Sequence, residues 1–116
     1  MARHSSEVRL RHMLDHAREA VDLAREKTRT ELSSTRLLQL GLMRLVEIIG
    51  EAAARVPTEE RAQYPSIPWE DVVGMRNKLI HGYDTVDLDI LWDTVTVELP
   101  DLIRVLEGSI SQEAAE

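Results

Sequence analysis

The spacing of apolar residues constrains this chain more than any other feature, because they recur three and four positions apart through most of its 116 residues. That spacing places apolar side chains on one face of an α-helix, where they can be buried together. The alternation of apolar and polar residues that marks a half-buried strand does not extend over any useful length. The pattern therefore predicts an all-α protein.

The first half of the chain predicts two long helices. One covers roughly Ser5 to Arg29 and has a single apolar stripe. The next is apolar over more than half of its circumference, so we expect it to be the central and most buried helix. Either Ser33 or Ser34 can cap its start, and Pro57 ends it.

The second half predicts a short helical turn at 58–61 and two further helices. Ser66 can cap the third helix, which we expect to continue to Gly82. The fourth helix starts near Asp87, and Pro100 should kink it. The expected architecture is an antiparallel bundle of four main helices plus the short turn.

The length of the chain fits one domain, which we assign to residues 1–110, followed by a frayed tail at 111–116. The absence of Cys excludes disulfides, thiolate metal ligands and a cysteine nucleophile. The N-terminus lacks the apolar core of a signal peptide, and no apolar stretch approaches the ~20 residues that a bilayer needs. We therefore expect a cytoplasmic protein with no membrane partner.

Charge is distributed unevenly along the chain. The net charge is −7, from 14 Lys and Arg against 21 Asp and Glu, which argues against a purely electrostatic nucleic-acid binder. Residues 1–55 hold ten basic and eight acidic residues, whereas 56–116 hold four and thirteen. A polyanion would therefore have to approach the basic residues of the first half and avoid the acidic last third.

His12 and His16 have the spacing with which two imidazoles on one helix can share a metal ion. A third ligand is not evident in the sequence, and exposed histidines are common on charged helices. We therefore predict neither a metal site nor a cofactor.

The segment richest in chemistry is GMRNKLIHGY, at 74–83. Because Gly82 lets the predicted helix end there, a long side chain and an imidazole on different helical faces can converge. The same residues also suit a plain structural role as solvated charges, a histidine favoured by the helix dipole and a packing aromatic. The polar side chains of the segment are Arg76, Asn77, Lys78, His81 and Tyr83.

The chain resembles the HepT-type toxins of the HEPN superfamily through EIIGEAA at 47–53, YPSIPWEDVVGMRNKLIHGYDTVDLDILWDTV at 64–95 and the following ELPDL. The most specific element is R-x-x-x-x-H-x-Y, here Arg76, His81 and Tyr83. The resemblance implies a helical bundle, a homodimer whose two motifs line a shared cleft, and a metal-independent ribonuclease. It also implies a partner, a minimal nucleotidyltransferase antitoxin that transfers AMP to Tyr83.

Cleavage of RNA by its own 2′-hydroxyl requires a base, an acid and stabilisation of charge on the phosphate. His81 can be the base or the acid, and Arg76 can bind the phosphate. One histidine cannot fill both roles at once, so either the second His81 of a dimer or a water molecule completes the pair. We expect Asn77 to orient His81 or the phosphate, and Lys78 either to contact flanking phosphates or to remain a solvated charge.

Two carboxylates lie one turn apart on the central helix, Glu47 and Glu51. Glu47 either orients Arg76 or forms, like Glu51, a surface ion pair with Arg44 or Arg55. The sequence leaves these alternatives open.

Trp69 and Trp92 lie in apolar helical stripes, so we expect core or dimer-interface anchors on the third and fourth helices. The competing functional hypothesis is a non-catalytic helical adaptor, or a nucleotide-binding subunit, that docks on a nucleotidyltransferase. The presence of both Arg76 and His81 favours the ribonuclease.

Overall fold

Three long helical segments form the body of the protein in the computed structural model, which describes residues 2–80 and 85–115. The all-α class predicted from the sequence is confirmed, and the exact count of four main helices is not. The long segments are α1 (Ala2–Ala24), α3 (Arg36–Ala54), and α6 (Leu88–Asp93) continued by a π-helical segment (Thr94–Glu98) and α7 (Leu99–Ala115). The short helices are α2 (Arg29–Ser34), α4 (Thr58–Arg61) and α5 (Trp69–Val73).

Helix α1 packs against α3 and α7 and runs antiparallel to both. Leu23, near the end of α1, lies against Gly41 near the start of α3, where an added Cβ would be 3.3 Å from the leucine Cδ2. Arg18 of α1 bonds to Glu107 of α7 at 2.5 Å. The apolar stripes thus meet in one core, whose fully buried side chains include Leu10, Met13, Leu42, Ile49, Leu99 and Leu106.

The central helix starts within one residue of the prediction, at Arg36, but a separate short helix, α2, precedes it. Thr28 caps α2, in place of the predicted Ser33 or Ser34 cap on the central helix. Its hydroxyl accepts a hydrogen bond from the Glu31 N–H at 3.1 Å, and the Glu31 carboxylate accepts one from the Thr28 N–H at 3.1 Å. This capping box satisfies two backbone donors, and α3 then starts after an extended Thr35 without a side-chain cap.

The predicted third helix is much shorter than expected. Helix α5 follows Pro68 without a side-chain cap, so Ser66 is not its cap, and it ends at Val73. Gly74 is the C-cap, and glycine costs about 1 kcal/mol relative to alanine inside a helix. The chain continues in tight turns instead of further helix.

The start of the fourth helix is confirmed, since the Asp87 carboxylate accepts a hydrogen bond from the Ile90 N–H at 3.0 Å and caps α6. The helix also continues past Pro100. The π-helical segment lies just before this proline, and the Leu99 N–H there bonds to the Thr94 carbonyl, five residues back. Helix α7 then extends to Ala115, through most of the segment predicted as a tail.

Strand-like pairing in the described ranges is limited to a single antiparallel bridge between Ile80 and Val86. A second backbone bond, from the Asp87 N–H to the Leu79 carbonyl at 2.7 Å, lies beside it. Together they join the two ends of the segment between α5 and α6. In the same ranges, none of the helices combines the length and apolar character needed to cross a bilayer.

Candidate functional site

Arg76 projects from an exposed turn that is anchored in the core on both sides. Met75 and Leu79 are buried, whereas Arg76, Asn77 and Lys78 between them are exposed. Two backbone hydrogen bonds close the turn. The Asn77 N–H donates to the Gly74 carbonyl and the Leu79 N–H donates to the Arg76 carbonyl, each at 3.0 Å. The backbone that carries the guanidinium is therefore fixed by packing.

Glu47 of α3 holds the Arg76 side chain. The Arg76 Nε donates to Glu47 Oε2 at 2.8 Å, and Arg44 Nη1 donates to Glu47 Oε1 at 2.7 Å. Arg44 also lies 3.8 Å from the carboxylate of Glu51. Glu47 thus combines both roles that the sequence left open, because it contacts Arg76 and forms a surface pair with Arg44.

The two guanidinium groups determine the charge state of Glu47. The hydrogen bond from Arg44 lowers the pKa of this carboxyl below its ordinary value, partial burial opposes the change, and Arg76 adds to the lowering. Glu47 is therefore ionised near neutral pH. Its bond to Arg76 uses Nε, so within the described residues the fork of terminal N–H groups on Arg76 keeps donors for another acceptor.

A groove of about 410 Å³ opens beside Arg76. Leu40 and Met43 of α3 form one wall, and the residues at the bridge between Ile80 and Val86 form the other. The groove therefore combines an apolar wall with an arginine at its edge, a composition that suits a ligand with both a phosphate and an apolar face.

His81 and Tyr83 lie outside the described residues. Ile80 and Thr85, the described residues on either side of them, both line the groove. Whether the imidazole converges with Arg76 therefore stays a prediction.

Sequence reasoning did not single out Arg36 and Gln39, which also line this groove. Gln39 donates from its side-chain amide to the Leu32 carbonyl at 2.9 Å, which joins α3 to α2. The positions of both residues near Arg76 depend on the packing of α3 against a turn that is distant in sequence. Spacing along the helix carries no signal of that contact.

His12 and His16 lie side by side on α1, with their ring centroids 6.4 Å apart. The His16 Nδ1 lies 2.6 Å from the carbonyl oxygen of His12, and since a carbonyl only accepts, this nitrogen carries the proton. The described part of the chain contains no group of three or more His, Cys, Asp and Glu residues that could hold an ion.

Both tryptophans are partly buried and pack against the core. The indole N–H of Trp69 donates to the Tyr64 carbonyl at 3.1 Å, and the Arg61 guanidinium lies 5.5 Å from the ring centroid. Two large exposed apolar side chains lie on α3 instead, and one of them, Leu40, lines the groove. They are Leu37, 81% exposed, and Leu40, 49% exposed.

Comparison with known proteins places the chain among ribonuclease-like sequences. The family model described as "Ribonuclease HepT-like" matches residues 13–108. A "Probable ribonuclease HepT" of Thermococcus cleftensis is 38% identical over 93 residues, which cover 77% of this chain and 84% of the relative. A "Putative RNase" of Methanocaldococcus jannaschii is 31% identical over 98 residues, 84% of each chain. No solved structure matches the chain significantly.

We predict that replacing Glu47 with Gln lowers the free energy of unfolding by about 0.5–1 kcal/mol at pH 7 and has little effect at pH 3. The folded pKa of Glu47 is depressed, so its stabilising contribution is present above the unfolded pKa of about 4.3 and is lost as the pH falls through the folded pKa. Urea unfolding at both pH values measures it.

Glu51→Gln is the matched control, because among the described residues the ionic contact of this neighbouring carboxylate is the 3.8 Å one with Arg44. We expect it to change stability less than Glu47→Gln at pH 7. An equal loss at pH 7 and pH 3 for Glu47→Gln would show that the side chain acts through packing and not through its charge.

Proposed function

Because the chain belongs to the ribonuclease HepT-like family, we propose that it is an endoribonuclease that cleaves RNA in the groove beside Arg76. The observation that carries this proposal is the Arg76 guanidinium, which Glu47 holds at the edge of the groove. His81 follows directly on Ile80, which lines the same groove. A phosphate-binding cation and a titratable imidazole therefore belong to one short stretch of chain.

The proposed reaction uses the 2′-hydroxyl of the RNA as nucleophile. Its oxygen forms a bond to phosphorus as its proton passes to a base, and the bond from phosphorus to the 5′-oxygen breaks as that oxygen takes a proton from an acid. The products are a 2′,3′-cyclic phosphate and a 5′-hydroxyl. His81 provides the base or the acid, and Arg76 binds the phosphoryl oxygens as their charge increases.

Two exposed neighbours of Arg76 have supporting roles in this proposal. Asn77 orients His81 or the phosphate through its amide, and Lys78 contacts a flanking phosphate as a point charge. The proposed mechanism uses only histidine and arginine side chains, so it requires neither a metal ion nor a cofactor.

A symmetric homodimer would supply the second proton-transfer group. One His81 per chain cannot act as base and acid in the same step, whereas two facing copies can share these roles. The exposed Leu37 and Leu40 on α3 support an interface next to the groove, in place of one built on Trp69 and Trp92. Burying apolar side chains of this kind is the usual driving force of such an association.

The same proposal includes a toxin and antitoxin pair. A partner nucleotidyltransferase would transfer AMP from ATP to the Tyr83 hydroxyl and release pyrophosphate. The added phosphodiester would lie close in sequence to Arg76 and compete with RNA for its guanidinium. Support for this step comes from the match of Tyr83 to the R-x-x-x-x-H-x-Y pattern.

We predict that His81→Ala and Arg76→Ala each reduce RNA cleavage by ~10²–10⁴-fold while the protein stays folded, because each removes a proton-transfer group or a phosphate donor. Sequencing of RNA ends measures cleavage, and circular dichroism checks the fold. Arg104→Ala, which changes an exposed arginine on α7, is the control. Full activity in folded His81→Ala, or loss of wild-type activity in EDTA, would contradict the mechanism.

We predict a dimer of twice 13.2 kDa in light scattering, which Leu37→Ser/Leu40→Ser converts to monomer. The substitutions remove exposed apolar surface from α3 without disturbing buried side chains. Val97→Ser is the control, because Val97 is an exposed apolar residue on the π-helical segment, away from α3. A wild-type mass near 13.2 kDa at micromolar concentration would exclude the dimer.

We predict that the cognate nucleotidyltransferase with ATP adds AMP to the wild-type protein and not to Tyr83→Phe, since phenylalanine has no hydroxyl to accept it. Intact mass spectrometry detects the addition, and the modified protein should lose ribonuclease activity. An AMP-sized mass gain on both proteins, or on neither, would refute the assignment of Tyr83.

A further inference from the structure

A second and larger groove, of about 600 Å³, lies between α1 and α3. Its lining is mostly cationic and apolar, with Glu51 as its single carboxylate among the described residues. The cationic side chains are Arg9, Arg44 and Arg55, and His12 also contributes to the lining. This groove is positively charged on a protein whose net charge is −7. A local positive charge of this kind attracts anionic ligands.

Two of the three arginines of this groove, Arg9 and Arg55, differ in their pairing from Arg44 and from most other arginines of the first half. Ion pairs neutralise Arg11, Arg18, Arg25 and Arg29, with nitrogen–oxygen distances of 2.5–3.3 Å. Among the residues that the structure describes, no carboxylate pairs with Arg9 or Arg55. The groove therefore retains positive charge that the protein does not use internally.

Arg44 connects this groove to the candidate catalytic groove. It lines the larger groove and also donates to Glu47, whose other oxygen accepts the bond from Arg76. Arg55 lies eleven residues further along α3, which corresponds to about 16 Å at the rise of an α-helix. The contacts of Arg44, Glu47 and Arg76 thus lie between the two grooves, and Arg55 lies in the larger one near the end of α3.

We propose that the groove between α1 and α3 binds phosphates of the substrate RNA that flank the cleaved bond, through Arg9 and Arg55. This inference rests on the proposed ribonuclease function and extends it to a second binding site. Single-stranded nucleic acid fits the groove because cationic side chains follow the phosphates, while the apolar floor of Val8, Ile48 and Ala52 accepts sugars or bases.

A different groove of the molecule has the opposite charge and would repel the same strand. It has a volume of about 250 Å³, and Asp71, Glu98 and Asp101 contribute to its lining. The acidic groove therefore disfavours RNA, whereas the basic surface along the C-terminal half of α3 favours it.

The test measures binding of a single-stranded 2′-O-methyl RNA of roughly 12 nucleotides, within the range bound by single-strand proteins. This probe lacks the attacking hydroxyl, so it measures binding whether or not the protein cleaves RNA. Fluorescence anisotropy over a series of salt concentrations gives the slope of log affinity against log salt. We expect Arg9→Gln/Arg55→Gln to reduce that slope by about 1.4, because each phosphate contact to a single strand contributes about 0.7.

The matched control is Arg25→Gln/Arg104→Gln, which removes the same two charges from exposed pairs with Asp22 and Asp101. It should keep the wild-type slope, and Arg9→Lys/Arg55→Lys should restore most of the binding. An equal change of slope in both Gln variants would overturn the proposal, because net charge alone would then explain it. The proposal would also be overturned if Arg9→Gln/Arg55→Gln kept its RNA binding and lost binding of the cognate nucleotidyltransferase. The groove would then be assigned to that protein partner.

Cleavage of unmodified RNA by the wild-type protein tests the ribonuclease proposal separately from the flanking phosphate site. Cleavage without a difference in slope refutes the flanking site alone. A difference in slope without cleavage refutes the ribonuclease proposal and leaves an RNA-binding groove.

Discussion

The Glu47 carboxylate is the contact on which the arrangement of the site depends. It accepts hydrogen bonds from Arg44 on its own helix and from Arg76 on a turn 29 positions away, at 2.7 and 2.8 Å. A lone guanidinium on an exposed turn would sample many rotamers, and fixing it at the moment of binding would cost affinity. The carboxylate fixes Arg76 in advance and, within the described residues, leaves its terminal N–H groups available for the phosphate of the proposed reaction.

Helix α3 combines the structural and functional demands on this small protein. Its buried face, with Leu42, Val46 and Ile49, packs against α1 and the rest of the core. Its exposed side borders both the groove at Arg76 and the groove at Arg55. A rigid element that carries both grooves keeps their separation constant, which lowers the ordering cost for a ligand that contacts both.

Local patterns predicted the parts of the fold that depend on local physics. Helical spacing gave the three long segments, and the Asp87 cap was readable because a carboxylate before an apolar run accepts a backbone N–H. The capping box of Thr28 and Glu31 was also present in the sequence as T-x-x-E and could have been used. The third helix was overestimated because tight turns also bury Met75 and Leu79.

The site depends more on contacts between distant segments, and the sequence predicted it less completely. The motif identified Arg76. The finding that Glu47 contacts both Arg76 and Arg44 required the packing of α3 against the turn. The groove lined by Arg9 and Arg55 joins two helices and has no signature in either one. The net charge argued against a purely electrostatic binder, whereas the structure separates basic and acidic surfaces.

The most direct measurement of the central claim is the rate of RNA cleavage by Glu47→Gln compared with Glu51→Gln, both at saturating RNA and with matched folding checks. If Glu47 positions Arg76 for the reaction, Glu47→Gln should lower kcat by ~10-fold or more, the scale expected when a supporting contact of a reactive group is lost. Glu51→Gln should then lie within about twofold of wild type. Equal kcat values for the two variants would contradict the account, because Arg76 would then reach its working geometry without Glu47.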